Sequence, residues 1–240
     1  MPETPPTGPD KAAYVRAMFA RIVPRYDRMN AIMTLGRDRA WRRLAVEVAH
    51  PSTGGRALDV GSGTGDLSLE LTRQFDLRLV VALDLTPEML AEGQRKATLA
   101  GRSPPIASVV GDALDLPFPD GSFDCVVSGF TMRNVFDLNR SLREMRRIIR
   151  PGGRAVILEL TPMRVPVISQ LFRIYFHLVV PWLGRVITGD TTAYSYLPAS
   201  VDSFPSTDEF ARMFVQAGFT GVRYRRMMFG TVALHVGAVV

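Results

Sequence analysis

The stretch ALDVGSGTGDLSLEL, residues 57–71, constrains this chain more than any other. A short apolar run at 57–60 leads into three glycines, Gly61, Gly63 and Gly65, and a helical pattern follows over 65–74. Between a strand and a helix, glycines let the backbone bend sharply and approach a ligand closely. The helix that follows presents unpaired N–H groups and the positive end of its dipole. This is the wiring of a nucleotide-binding turn. The segments downstream support it: strand 79–84, helix 87–99, strands 106–110 and 123–128, helix 137–149 and strand 155–160. Such alternation predicts a parallel sheet with helices on both faces.

The flanks are also readable. Residues 11–23 predict a helix with Val15, Met18, Phe19 and Ile22 on one face, broken at Pro24, and a second helix runs from about Trp41 to Val48. The linker 51–55 separates this helical cap (11–50) from the alternating region. In 137–149, Leu138, Leu142, Met145, Ile148 and Ile149 form one apolar stripe, and RPGGR (150–154) reads as the helix stop. Ser206, with Glu209 three residues on, predicts a capped helix ending at Gly218. Two last strands, 221–228 and 231–239, meet at Gly230 as an antiparallel hairpin closing the sheet. The expected organisation is an unstructured, proline-rich lead-in (1–10) and a single domain over 11–240, interrupted by an apolar insertion at 162–200.

Composition narrows the function classes. The 29 basic and 23 acidic residues give a net charge of +6, but all basic residues except Lys11 and Lys96 are arginine. So uniform a bias reads as composition rather than as a binding surface, and no nucleic-acid partner is expected. The single cysteine, Cys125, sits in an apolar strand, so it predicts a small core residue, no disulfide and a reducing cytoplasm. The histidines His50, His177 and His235 are dispersed, and no metal-ligand spacing is visible. Nothing resembles a secretory signal, and the longest uncharged apolar run, 174–184, is shorter than the roughly 20 residues that span a bilayer.

The ligand of the turn can be narrowed by its charges. A dinucleotide fingerprint would place its third glycine at position 66, where this chain has Asp66. A carboxylate there is a poor neighbour for a pyrophosphate and suits a cationic ligand, and no phosphate-loop lysine follows. Asp59 ends the first strand. Asp84, at the tip of the second, is placed for ribose hydroxyls, and Asp112, at the tip of the third, for an adenine amino group. Glycine turn and strand-tip acids together fit a nucleoside bearing a sulfonium: S-adenosylmethionine.

Residues 11–240 resemble the demethylmenaquinone and polyprenyl-benzoquinol C-methyltransferases of quinone biosynthesis. LDVGSGTGD, LDLTPEML and GDALDLPFPDGSFDCV are similar to three motifs shared by class I methyltransferases. More specific are YDRMNAIMTLGRDRAW (26–41), TMRNVFD (131–137), REMRRIIRPGGRAVILELTP (143–162) and GTVALHVG (230–237). The chain departs from the family pattern at Thr34 (usually Ser), Asp38 (usually His), Gly129 (a serine position) and Thr161 (usually Ser). The resemblance implies a Rossmann-like, seven-stranded, mostly parallel sheet. It implies S-adenosylmethionine held by Thr64, Asp84 and the Asp112–Ala113 pair, beside the glycine backbone at Gly61 and Gly63 and the acid Asp59.

It also implies methyl transfer to a ring carbon of a reduced, polyprenylated quinone, most directly demethylmenaquinol, with a ubiquinone-pathway benzoquinol as the alternative. A small-molecule or RNA methyltransferase is a weaker alternative. Such a carbon is a far better nucleophile as the phenolate. Arg133 is expected to stabilise the developing phenolate, directly or through a water, Asn134 to orient the ring oxygen, and Tyr26 to line the same pocket. His235, alternating with apolar strand residues, reads first as a core histidine and second as a reserve base. In the insertion, Phe172, Ile174, Tyr175, Phe176, Leu178, Val179, Val180, Trp182 and Leu183 suit an isoprenoid channel or a peripheral contact at the inner face of the plasma membrane. Arg164, Arg173 and Arg185 tilt this towards an anionic lipid face, although the same residues suit a homodimer face or a core equally well.

Overall fold

The computed structural model describes residue 8 and residues 10–101, 106–163, 175–180, 182 and 191–240. Seven strands form one sheet: β1 (Arg56–Val60), β2 (Leu79–Asp84), β3 (Ile106–Val110), β4 (Phe123–Gly129), β5 (Ile149–Leu160), β6 (Thr220–Met227) and β7 (Val232–Ala238), in the order β3-β2-β1-β4-β5-β7-β6. β1 to β5 are mutually parallel; β7 runs antiparallel to both β5 and β6. The expected fold class is the one observed. From β1 the chain steps outward to β2 and β3, then returns to β4 on the other side of β1. That reversal opens a crevice at the carboxyl ends of β1 and β4, where doubly wound sheets bind their ligands.

Helices α1 (Asp10–Met33), α2 (Asp38–Ala49), α3 (Asp66–Gln74), α4 (Pro87–Leu99), α5 (Leu138–Ile148), α6 (Thr191–Asp202) and α7 (Thr207–Gln216) surround the sheet. The apolar stripe of α5 (Leu142, Met145, Ile148) joins Phe210 and Phe214 of α7 in the core on one face. Trp41, Ala45 and Val46 of α2 join Leu67 and Leu71 of α3 in the core on the other. Ser206 and Glu209 form the expected capping box at the start of α7. Cys125 is buried in β4, and burial pushes its thiol up to about 12. It is a core residue.

Two expectations are corrected. Pro24 does not break the first helix: α1 runs without interruption from Asp10 to Met33. A proline removes one N–H and crowds the carbonyl four residues back. Here Pro24 is exposed, while Met18 and Ile22 before it and Met29 after it share one core with Val180, Ala193 and Tyr196. Tertiary packing outweighs the local penalty. Second, the helix ends before RPGGR as expected, but the strand that follows does not wait until residue 155: β5 begins at Ile149 and contains RPGGR. Gly153 is there because β4 passes very close: a Cβ on it would sit 2.5 Å from the Asp124 carbonyl oxygen. Ile149 pairs with Phe123 across a register shift in β4.

Of the insertion, Phe172, Ile174, Leu183, Arg164, Arg173, Arg185 and the Phe176 side chain lie outside the described residues, as does most of the lead-in. Val180 is buried against α1, whereas Leu178 and Trp182 are exposed. No helix among the described residues is long and apolar enough to cross a membrane.

Candidate active site

A cleft opens at the carboxyl edge of the sheet, between the glycine turn and α1. Gly61, Gly63 and Gly65 all adopt the left-handed conformation, with φ of 66°, 54° and 77°. At Gly61 the requirement is also steric: a Cβ would lie 2.1 Å from Thr131 Cγ2. Thr131 Oγ1 donates back to the Gly61 carbonyl at 2.9 Å, tying the tip of β1 to the tip of β4.

The strand-tip acids hold the turn. Asp84 accepts from the amides of Gly63 and Thr86, both at 2.8 Å. Burial nevertheless raises its carboxyl above the ordinary range, the two amides opposing. Asp59 is fully buried and accepts from Ser68 N at 3.0 Å and Ser68 Oγ at 2.7 Å, leaving Oδ1 without a partner. Burial pushes it up to about 7. Asp112 accepts from Leu114 N at 2.9 Å. Asp59, Asp84, Asp112, Ala113, Gly61, Gly63 and Thr64 all line the cleft, as do Tyr26 and Asn134.

The contacts that surround these residues could not be anticipated from the sequence. Thr64 Oγ1 donates at 2.6 Å to Asp27 of α1, and Lys96 of α4 donates to the same Asp27 at 2.7 Å. Lys96 also pairs with Asp66, whose other oxygen faces Arg42. Burial works against the charge on Asp66, but Arg42 and Lys96 outweigh it and hold the carboxyl below its ordinary range. The negative charge read as a place for a cationic ligand is therefore shared with two protein cations. Lys11, the other lysine, donates to the Arg133 carbonyl at 2.9 Å and pins the start of α1 over the cleft.

The acceptor side is a wall of Val15, Phe19 and Tyr26 from α1, facing Phe130, Asn134, Val135 and Phe136. Burial raises the Tyr26 hydroxyl above its ordinary value, with Arg133 and Arg42 pulling it down. Asn134 Oδ1 is buried without a protein partner. Arg133 is not among the lining residues. Its Nη1 donates to Glu159 Oε1 at 2.7 Å, and its backbone N–H donates to Glu159 Oε2 at 3.1 Å. Glu159 is fully buried at the end of β5. Its signal in the sequence was one carboxylate in the apolar run VILEL, with nothing to say which cation it meets. His235 is also absent from the cleft. It lies under α7, bonded to the Thr207 carbonyl at 2.9 Å and ringed by Phe210, Phe214 and Tyr224, and burial lowers it to about 4. That leaves the core reading and removes the reserve base.

The geometry can be set against known proteins. Residues 9–239 match the family model for the ubiE/COQ5 methyltransferase family. The chain belongs to this family. It is 44% identical over 232 residues to a protein of Roseiflexus castenholzii named demethylmenaquinone methyltransferase, covering 97% of this chain and 96% of that one. It is 41% identical over 229 residues to a protein of Geobacter sp. (strain M21) named ubiquinone/menaquinone biosynthesis C-methyltransferase UbiE, covering 95% and 97%. Among solved structures it resembles the [4+2]-cyclase SpnF, with a TM-score of 0.73 and 16% identity over 98% of this chain and 97% of that one. That likeness concerns the fold alone.

Members of this family are methyltransferases, and the methyl donor is S-adenosylmethionine. The cleft fits such a group. At Gly63 an added Cβ would meet only Tyr26, at 3.9 Å, so the turn's backbone is open to a ligand. Asp59 Oδ1, Ser62 Oγ and Asn134 Oδ1 are buried without protein partners, on residues that all line the cleft.

Proposed function

We propose that this family member methylates a ring carbon of a polyprenylated hydroquinone, most directly demethylmenaquinol. One observation carries the reading: the turn with its strand-tip acids and an aromatic wall around an unpartnered Asn134 Oδ1 lie in one cleft. Thr64, Asp84, Asp112 and Ala113, with the backbone of Gly61 and Gly63 and the acid Asp59, hold the methyl donor. When bound, that cofactor supplies an electrophilic methyl group on a sulfonium. The remaining work is to orient the acceptor and ease loss of a phenolic proton.

Asn134 Oδ1 accepts a hydrogen bond from a ring hydroxyl and fixes which carbon faces the donor. Phe19, Tyr26 and Phe136 pack on the ring and exclude water. Arg133 acts from behind Asn134. Its Nη1 donates to Glu159 and to the Phe130 carbonyl and the residue does not line the cleft, so it sets the 132–134 turn and contributes its field to the developing phenolate rather than a direct contact.

The insertion takes the isoprenoid tail or rests on an anionic membrane face. Exposed Leu178 and Trp182 support this, and co-sedimentation with anionic vesicles at low and high salt tests it. A benzoquinol acceptor is the second reading, favoured by the double name of the Geobacter relative. Turnover of a polyprenylated demethylnaphthoquinol against a polyprenylated benzoquinol, both kept reduced, decides between them. Activity on neither would overturn the proposal.

A further inference from the structure

Arg42 and Asp66 stand side by side in the cleft wall with opposite charges and without a bond between them. Arg42 Nη2 is 3.6 Å from Asp66 Oδ2, an ion-pair separation beyond hydrogen-bonding distance. Each is held by other residues. Asp38, buried at the start of α2, accepts from Arg42 Nη1, and Thr34 Oγ1 donates to the second Asp38 oxygen at 3.0 Å. The Arg42 guanidinium lies 5.5 Å from the centre of the Phe130 ring, a cation–π distance. Asp66 Oδ1 is engaged by Lys96 Nζ. One guanidinium edge and one carboxylate oxygen are thereby presented next to each other and fixed before any ligand arrives.

Charge among the lining residues is lopsided. Asp59, Asp66, Asp84 and Asp112 line the cleft, and Arg42 is the one lysine or arginine among the described residues that does. A carboxylate-bearing ligand therefore has a single cation to meet there. An α-amino acid carries ammonium and carboxylate on one carbon, and its complement is a carboxylate and a cation a few ångströms apart. S-adenosylmethionine ends in such a group.

We infer that the Arg42–Asp66 pair seats the amino-acid head of the cofactor, Arg42 taking its carboxylate and Asp66 its ammonium. The planar guanidinium suits carboxylate recognition, and the Asp38 contact fixes its direction. Arg42 and Lys96 together favour the ionised form of Asp66, as accepting from an ammonium requires. Here Asp38, where the family pattern carries histidine, supplies the negative charge that orients Arg42. The acidic residue at the third-glycine position thus serves the ligand's ammonium rather than its sulfonium.

The test is a binding measurement, independent of the acceptor. S-adenosylhomocysteine and 5′-methylthioadenosine share the nucleoside, but only the first has an amino-acid head. Calorimetric titration of both into wild type, Arg42→Gln and Asp66→Asn should show S-adenosylhomocysteine weakened about 10- to 100-fold in each variant, the range expected for a lost charged hydrogen bond. 5′-Methylthioadenosine should change by less than about twofold. Equal weakening of both nucleosides overturns the assignment, because it signals general damage to the cleft. So does unchanged S-adenosylhomocysteine affinity in either variant. On the wild-type protein, decarboxylated S-adenosylmethionine should bind at least about 10-fold more weakly than the intact cofactor, and equal affinity overturns the carboxylate half whatever the variants do.

Discussion

Arg133 and Glu159 form a buried ion pair, Nη1 to Oε1 at 2.7 Å, with the same carboxylate also accepting from the backbone N–H of Arg133. One side chain thus holds both the guanidinium and the main chain of the turn that presents Asn134. The carboxylate also caps the end of its own strand by accepting from Leu160 N at 2.8 Å. A buried pair of this kind is costly to break from one side, by about 3–5 kcal/mol, because the remaining charge stays in the interior without a partner.

Replacing Arg133 by alanine should therefore lower stability by about 3 kcal/mol and turnover on the order of 100-fold through misplacement of Asn134. S-adenosylhomocysteine affinity should stay nearly unchanged. The double replacement Arg133→Met with Glu159→Gln should recover much of the stability without recovering turnover. Urea unfolding and steady-state assays check both. Unchanged turnover in Arg133→Ala would remove this turn from the reaction.

The Asp59 carboxyl, pushed up to about 7 by burial from an ordinary 3.8, predicts a pH-dependent cost. The folded state keeps its proton over a range where the unfolded chain has lost it, so this residue's contribution falls as pH rises from about 4 to 7 and then levels off. Asp59→Asn should match wild type near pH 4 and be more stable above pH 7, by up to about 4 kcal/mol for a shift of this size. Urea midpoints at pH 5 and 8 provide the comparison. An identical difference at both pH values would contradict it.

His235 runs the other way. Its imidazole is lowered from 6.5 to about 4, first by burial, so the unfolded state takes up its proton first as pH falls. Stability from this group is complete above about 6.5 and is lost towards pH 4. His235→Gln should flatten that acid loss, which partly masks the opposite trend from Asp59. Because His235 lies outside the cleft, the variant should keep wild-type KM for both substrates. A raised KM would place the histidine in the site after all.

Gly61→Ala should destabilise the protein and weaken cofactor binding. The cause is the 2.1 Å approach of Thr131 to the new Cβ together with φ of 66°. In a Thr131→Ala background the steric part should be relieved, leaving the left-handed backbone cost of about 1–2 kcal/mol. A thermal-unfolding double-mutant cycle reads the coupling. Strict additivity would mean that Thr131 is not what requires the glycine.

The sequence by itself determined the alternation of strands and helices, the glycine turn, and the placing of Asp59, Asp84 and Asp112 at three strand tips. These are local properties: hydrophobic period, capping residues and turn chemistry act over a few neighbouring residues. The same locality made Pro24 read as a break and the next strand start only after RPGGR, because local rules do not include Met18 and Met29 packing into one core with Val180 and Ala193, or Gly153 passing against Asp124. Only the tertiary structure decided which charges meet. Arg133 finds Glu159 across 26 positions, Lys96 finds Asp27 across 69, and Arg42 faces Asp66. Those meetings depend on how α1, α2 and α4 close around the turn. Charge pairing leaves no period in a sequence; it exists only once the helices are in place.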